Sequence, residues 1–165
     1  MSTIANQNDI QIIGYREEYA PDFAQLNLEW LEGYSLLEDA DLKYLEDPKT
    51  HILDTGGEVF FAVESGTVIG TCAVVWRGPE EIELVKLAVS PAAQGRGLGR
   101  RLSETAIQFA RDSKARKVTL LSSTKLLAAV RLYESLGFRH VPMPSGVDYE
   151  TADVYMELDL CEAEG

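Results

Sequence analysis

Apolar positions along the chain follow two rhythms. Alternation and short apolar runs mark extended segments at Ile10–Tyr15, Val59–Glu64, Val68–Trp76, Glu81–Val89, Lys117–Ser122, Phe138–Val141 and Asp153–Leu160. Helical spacing marks the stretches between them. Phe23, Leu26, Trp30 and Tyr34 recur behind Pro21, a residue suited to a helix start. A second short helix is expected from Glu38 to about Leu45, stopped by Asp47-Pro48. Leu98, Leu102, Ala106 and Phe109 form the buried stripe of a helix from Gly97 to Lys114. Leu126–Leu136 is a further helix, closed by Gly137 at its C′ position. Gly56-Gly57 and Ser65-Gly66-Thr67 read as turns, the latter joining a hairpin. The order β-α-α-β-β-β-α-β-α-β-β predicts a mixed α/β fold in one domain spanning 1–165, with residues 1–8 and 161–165 as loose tails.

Charge changes this picture through its distribution. The formal net charge is −12, which argues against nucleic acid as a partner. Residues 93–125, however, carry eight basic and two acidic groups, a net +6 inside an acidic chain. That segment is a solvated helix face or a site for an anion. Two cysteines, Cys72 and Cys161, with His51 and His140, match no metal-ligand spacing, so no metal is expected. Cys72 lies in an apolar run and reads as a buried, inert thiol. No apolar run reaches the roughly 18 residues of a membrane span, and the first residues lack a basic and apolar leader. A reduced, cytoplasmic protein without membrane contact is the expectation.

The basic segment opens with Gln94-Gly95-Arg96-Gly97-Leu98-Gly99-Arg100-Arg101, between a strand and a helix. Glycines let the backbone turn tightly and bring N–H groups close to an anion. The helix start adds unpaired donors and the positive end of the dipole. This is chemistry for a pyrophosphate. A Walker loop is absent, and the dinucleotide pattern G-x-G-x-x-G fails because Arg100 follows Gly95 and Gly97, and Leu102 follows Gly97 and Gly99. Thr119 and Leu120 stand where an acidic ribose partner would be expected.

Gln94-x-x-Gly97-x-Gly99 resembles the Gln/Arg-x-x-Gly-x-Gly/Ala signature of the GNAT superfamily of N-acetyltransferases. The preceding Leu87-Ala88-Val89-Ser90-Pro91 resembles the end of that family's fourth strand. Ala129-Val130-Arg131-Leu132-Tyr133-Glu134-Ser135-Leu136-Gly137-Phe138 resembles its later helix. The resemblance covers about Val59 to Leu160. It implies a single-domain α+β fold: a mixed, mostly antiparallel sheet of six or seven strands, splayed at the fourth and flanked by about four helices. It also implies transfer of an acetyl group from acetyl-CoA to a primary amine of a small molecule, peptide or protein, by direct attack in a ternary complex.

Carried over by position, the resemblance assigns the pantetheine arm to the backbone of Leu87, Ala88 and Val89. It assigns the pyrophosphate to Gln94, Gly95, Arg96, Gly97, Leu98, Gly99 and Arg100. Arg96 and Arg100 also read as surface charges. Glu83 is the candidate base, directly or through water, although it also reads as one of three acids at a strand end with Glu80 and Glu81. Tyr133 occupies the general-acid position, where a phenol can protonate a leaving thiolate; it also reads as a core tyrosine beside Leu132 and Leu136. One departure is Leu126, seven residues before Tyr133, where the family often has Asn; Ser123 or Thr124 could substitute.

The acceptor is expected between the first helical pair and the loop before the last strand. Trp30, Tyr34 and Glu38 lie on one side, and Ser145-Gly146-Val147-Asp148-Tyr149 on the other. Acids and aromatics there suit a cationic amine, while Trp30 and Tyr34 also fit a helix core. The alternative function is a CoA-binding or acyl-CoA-binding regulatory sensor without turnover. The resemblance implies a monomer or a homodimer.

Overall fold

The structure is a computed structural model, describing residues 9–147 and 149–161. The expected tail 1–8, most of the tail 161–165, and Asp148 of the expected acceptor loop lie outside the described residues. Cys161 is placed, its backbone N–H donating to Asp159 at 2.8 Å.

Seven strands form one sheet in the order β1-β2-β3-β4-β5-β7-β6. They are β1 (Ile10–Ile13), β2 (Glu58–Glu64), β3 (Thr67–Trp76), β4 (Glu81–Val89), β5 (Lys117–Ser122), β6 (Arg139–His140) and β7 (Val154–Asp159). Every neighbouring pair is antiparallel except β4 and β5. The helices are α1 (Ala20–Gly33), α2 (Asp39–Glu46), α3 (Leu98–Asp112) and α4 (Leu127–Ser135). The mixed sheet with flanking helices matches the expected fold class. Two differences are local. The strand expected at Phe138–Val141 shortens to Arg139–His140, and a π-helical turn at Lys49–Leu53, not expected, follows the Asp47-Pro48 stop.

Two apolar clusters cover the two faces of the sheet. Leu98, Leu102 and Ala106 of α3 pack with Val130 and Tyr133 of α4 against Ile82, Leu84, Val118 and Leu120. Phe23 of α1 with Tyr44 and Leu45 of α2 packs against Phe61, Ala73 and Val75. Alternation along β4 thus sends Ile82 and Leu84 to the α3–α4 face and Glu83 and Val85 to the α1–α2 face.

Two features of β4 create the site. β4 pairs with β5 only from Glu81 to Glu83, facing Lys117 to Thr119. Beyond that register the two parallel strands separate, and β5 pairs on its other side with β7. Against β3, the register jumps from Ala73↔Val85 to Thr71↔Ala88, which leaves Lys86 and Leu87 opposite the single Cys72. Lys86 sits in this bulge with φ +56°, a left-handed conformation that costs a non-glycine residue about 1 kcal/mol or more. The bulge bends β4 away from β5.

Candidate active site

The separation of β4 and β5 opens a cavity of about 130 Å³. Leu84 to Leu87 form one wall, Leu121 to Ser123 the opposite wall, and Leu126, Ala129 and Tyr133 of the α4 region a third side. Trp30 and Asn27 of α1, Asp41 of α2 and Tyr149 complete it toward the α1–α2 face. Past Glu83 the chain of β4 has no strand partner on its β5 side. The backbone of Leu87, Ala88 and Val89 therefore offers a free strand edge to an extended ligand.

The glycine turn follows directly. Gly95 and Gly97 adopt φ +81° and +76°, and no atom lies within 4 Å of a Cβ added at either position. Glycine there serves backbone conformation and leaves the surface over the turn open. The first intrahelical donor of α3 is Arg101 N–H, bonded to the Gly97 carbonyl at 3.1 Å, and no side chain caps the helix. The N–H groups of Leu98, Gly99 and Arg100 thus precede the helical ladder and form an anion-binding start. Gly99 has a packing reason as well: a Cβ there would meet Leu132 Cδ2 at 3.2 Å, at the contact between α3 and α4. Gln94 is exposed, its side-chain amide donating to the Val89 carbonyl at 3.5 Å. The two arginines are engaged by protein partners. Arg96 holds Glu64 through two hydrogen bonds of 3.1 and 2.5 Å, and Arg100 holds Ser135 at 2.5 Å with Glu104 at 3.6 Å. The backbone is the readier anion ligand at this turn.

Tyr133 is buried on α4, its ring edge-on to Phe138 with centroids 5.8 Å apart. Its hydroxyl forms no hydrogen bond among the described residues, and the residue lines the cavity. Burial, with the Cys72 thiol nearby, raises its pKa well above that of free tyrosine, so it stays a neutral donor. Glu83 is buried on the opposite side of the groove and pairs with Arg77, whose guanidinium also donates to the Tyr44 hydroxyl at 3.1 Å. Burial acts to lower the Arg77 pKa, but Glu83 and Tyr44 together raise it, so Arg77 stays a cation beside the Glu83 carboxyl group. Glu83 is therefore not a solvated strand-end acid.

Sequence reasoning missed a second ion pair. Lys86 Nζ is bonded to Asp41 Oδ1, with side chains only 7% and 3% exposed, and approaches the Tyr149 hydroxyl at 3.4 Å. Burial lowers the Lys86 pKa, opposed by Asp41. The readable signal was a single charge inside the apolar run Leu84-Val85-Lys86-Leu87-Ala88-Val89. Burial, together with the charge of Asp41, pushes the Tyr149 phenol up, so it too stays neutral. Asn27, also missed, donates to the Phe23 carbonyl at 2.9 Å from the cavity wall.

The expected acceptor residues separate. Trp30 and Tyr149 line the cavity; Tyr34 packs on Trp30 with centroids 5.3 Å apart, is 40% exposed and does not line it. Glu38 is committed elsewhere. Its carboxylate accepts from Glu150 N–H at 2.8 Å, from Thr151 N–H at 3.0 Å and from the Thr151 hydroxyl, while closing a capping box at the start of α2. It fastens the loop before β7 to α2. Of the residues considered in place of an Asn at position 126, Ser123 lines the cavity, while Thr124 is tied to Asp153 through two 2.8 Å bonds.

Comparison with known proteins bears on this geometry. The model of the family described as "Acetyltransferase (GNAT) family" matches residues 16–138. N-acetyltransferase 8 of Rattus norvegicus is 31% identical over 96 residues, which are 55% of this chain and 43% of that protein. N-acetylaspartate synthetase of Xenopus tropicalis is 33% identical over 101 residues, 59% of this chain and 36% of that protein. The chain thus spans less than half the length of these relatives. Among solved structures, a GNAT-family acetyltransferase of Staphylococcus aureus superposes with a TM-score of 0.84 at 20% identity, covering 92% of this chain and 99% of that one. The yncA protein of Salmonella typhimurium, solved with its cofactor acetyl-CoA, gives 0.73 at 25% identity, covering 92% and 94%.

Proposed function

Since the chain belongs to the GNAT acetyltransferase family, we propose that it is an acetyl-CoA-dependent N-acetyltransferase acting on a primary amine in a ternary complex. The observation that carries this reading is the open groove between β4 and β5, bordered by the Glu83–Arg77 pair, with an uncapped helix start at the glycine turn beyond the end of β4. The free edge of Leu87 to Val89 would pair with the pantetheine arm, as an added strand would. The backbone N–H groups from Gly95 to Arg100 would take the pyrophosphate.

Glu83, held in place by Arg77, would accept a proton from the incoming ammonium, directly or through one water. The neutral amine then attacks the thioester carbonyl; the C–N bond forms and the C–S bond breaks. The leaving sulfur takes a proton through the Tyr133 hydroxyl. Because its pKa is raised, Tyr133 does not remain as phenolate. It passes a proton to sulfur and regains one from the amine nitrogen, and the products are an amide and a free thiol.

Thermal-shift titration with acetyl-CoA tests the donor half. Stabilisation that saturates is expected, and its absence would refute the reading at its first step. A regulatory sensor without turnover is the second reading, favoured by Leu126 in place of the expected Asn. It predicts binding of acetyl-CoA without amine-dependent thiol release, and a single turned-over amine eliminates it.

A further inference from the structure

A second hollow of about 240 Å³ opens on the far side of Glu83 and Tyr149. It shares Glu83, Leu121 and Tyr149 with the groove, so the Glu83 side chain borders both. Lys43, Tyr44, Arg77 and Tyr155 line it. Among the described residues, both carboxylates on its walls already face cations, Glu83 with Arg77 and Glu81 with Lys117 at 3.3 Å. Two of the five guanidinium N–H groups of Arg77 are used, on Glu83 and Tyr44. Lys43 Nζ stands 4.9 Å above the same Tyr44 ring and pairs with no carboxylate among the described residues. The hollow therefore has a cationic outer part, held on one tyrosine, and a carboxylate at its inner end. Glu38, the acid expected to attract a cationic acceptor, is committed to Thr151 and Glu150.

We propose that the acceptor is an amino acid, its carboxylate bound by Lys43 and the remaining N–H groups of Arg77 and its amine held at Glu83. A zwitterion matches both ends of the hollow, whereas a polyamine would meet Lys43 and Arg77 with like charge. This assignment rests on the acetyl-transfer reading above and specifies its acceptor. A charge-assisted bond from Lys43 corresponds to about ten- to a hundredfold in kcat/KM.

The test measures free-thiol release with acetyl-CoA and matched acceptors: leucine against isopentylamine, phenylalanine against phenethylamine, and the remaining amino acids as a panel. At least one amino acid is expected to exceed its decarboxylated amine by tenfold or more in kcat/KM. In Lys43→Gln that ratio falls toward one, mainly through KM, while acetyl-CoA still shifts the melting temperature. Arg77→Gln is a poorer probe because it also unpairs Glu83. Equal or greater turnover of the decarboxylated amines overturns the proposal, as does an unchanged ratio in Lys43→Gln. Acetyl-CoA binding without turnover of any amino acid also overturns it and leaves the donor site standing. Failure to bind acetyl-CoA overturns the acetyl-transfer reading itself.

Discussion

Replacing Tyr133 by Phe removes one oxygen from a ring that is 7% exposed and leaves its edge contact with Phe138 in place. The hydroxyl has no hydrogen-bond partner among the described residues, so no buried group loses a partner. Stability should therefore change by less than about 1 kcal/mol. Catalysis should change far more. A positioned proton donor contributes on the order of a hundredfold or more, equivalent to ~2.7 kcal/mol in activation free energy. The expected Tyr133→Phe phenotype is a kcat lowered about a hundredfold, with unchanged melting temperature and unchanged thermal shift by acetyl-CoA. Because burial holds the phenol above its ordinary pKa, the wild-type rate should also show no loss from tyrosine ionisation as pH rises toward about 10. Thiol release under single-turnover conditions reads the chemical step directly. A full single-turnover rate in Tyr133→Phe would refute the role, and a lowered melting temperature with a proportionate loss of binding would reduce Tyr133 to packing.

Three further outcomes follow from the same geometry. Glu83→Gln should lower kcat by about a hundredfold at neutral pH and recover part of it at high pH, where the amine is already neutral; a pH-independent deficit would place the base elsewhere. Lys86→Met leaves Asp41 buried without its cation and should cost about 3–5 kcal/mol in a urea unfolding curve, whereas Lys86→Met with Asp41→Leu should recover most of it; no difference between single and double variants would contradict the buried pair. For Glu38, burial alone would raise the pKa, but the Thr151 and Glu150 donors lower it below 4.5 on balance. A depressed carboxylate stabilises the fold above its unfolded value and loses that contribution as pH falls through the folded value. Melting temperature should therefore fall as acid is added below about pH 4.5, with a shallower fall in Glu38→Gln; identical curves would remove Glu38 from its fastening role.

The fold was largely legible because its signals are local. The apolar stripe of α3, the Gly137 stop after α4 and the run of β4 each lie within a few residues of the structure that they produce. The glycine turn was legible for the same reason, since positive φ at Gly95 and Gly97 is a property of single residues. What could not be read were charge partners distant in sequence. Arg96 reads from the sequence as a phosphate ligand or a surface charge, and its contact with Glu64, 32 residues earlier, is visible only in the fold. Glu38 reads from the sequence as an acceptor contact or a helix start, and the hydrogen bonds that use it come from residues 112 and 113 positions away. Asp41 and Lys86, 45 apart, meet only because the β4 bulge turns Lys86 toward α2. Alternation along β4 foresees the faces of Ile82, Glu83 and Leu84, and then fails at the bulge, where one extra residue resets the pattern.

A crystal structure of the protein grown with CoA tests the central claim most directly. The account predicts the pantetheine arm along the free edge of Leu87 to Val89, the pyrophosphate on the N–H groups between Gly95 and Arg100, and the sulfur within hydrogen-bond reach of the Tyr133 hydroxyl. CoA bound away from the β4–β5 groove, or a sulfur remote from Tyr133 with Glu83 on no path to it, would contradict it.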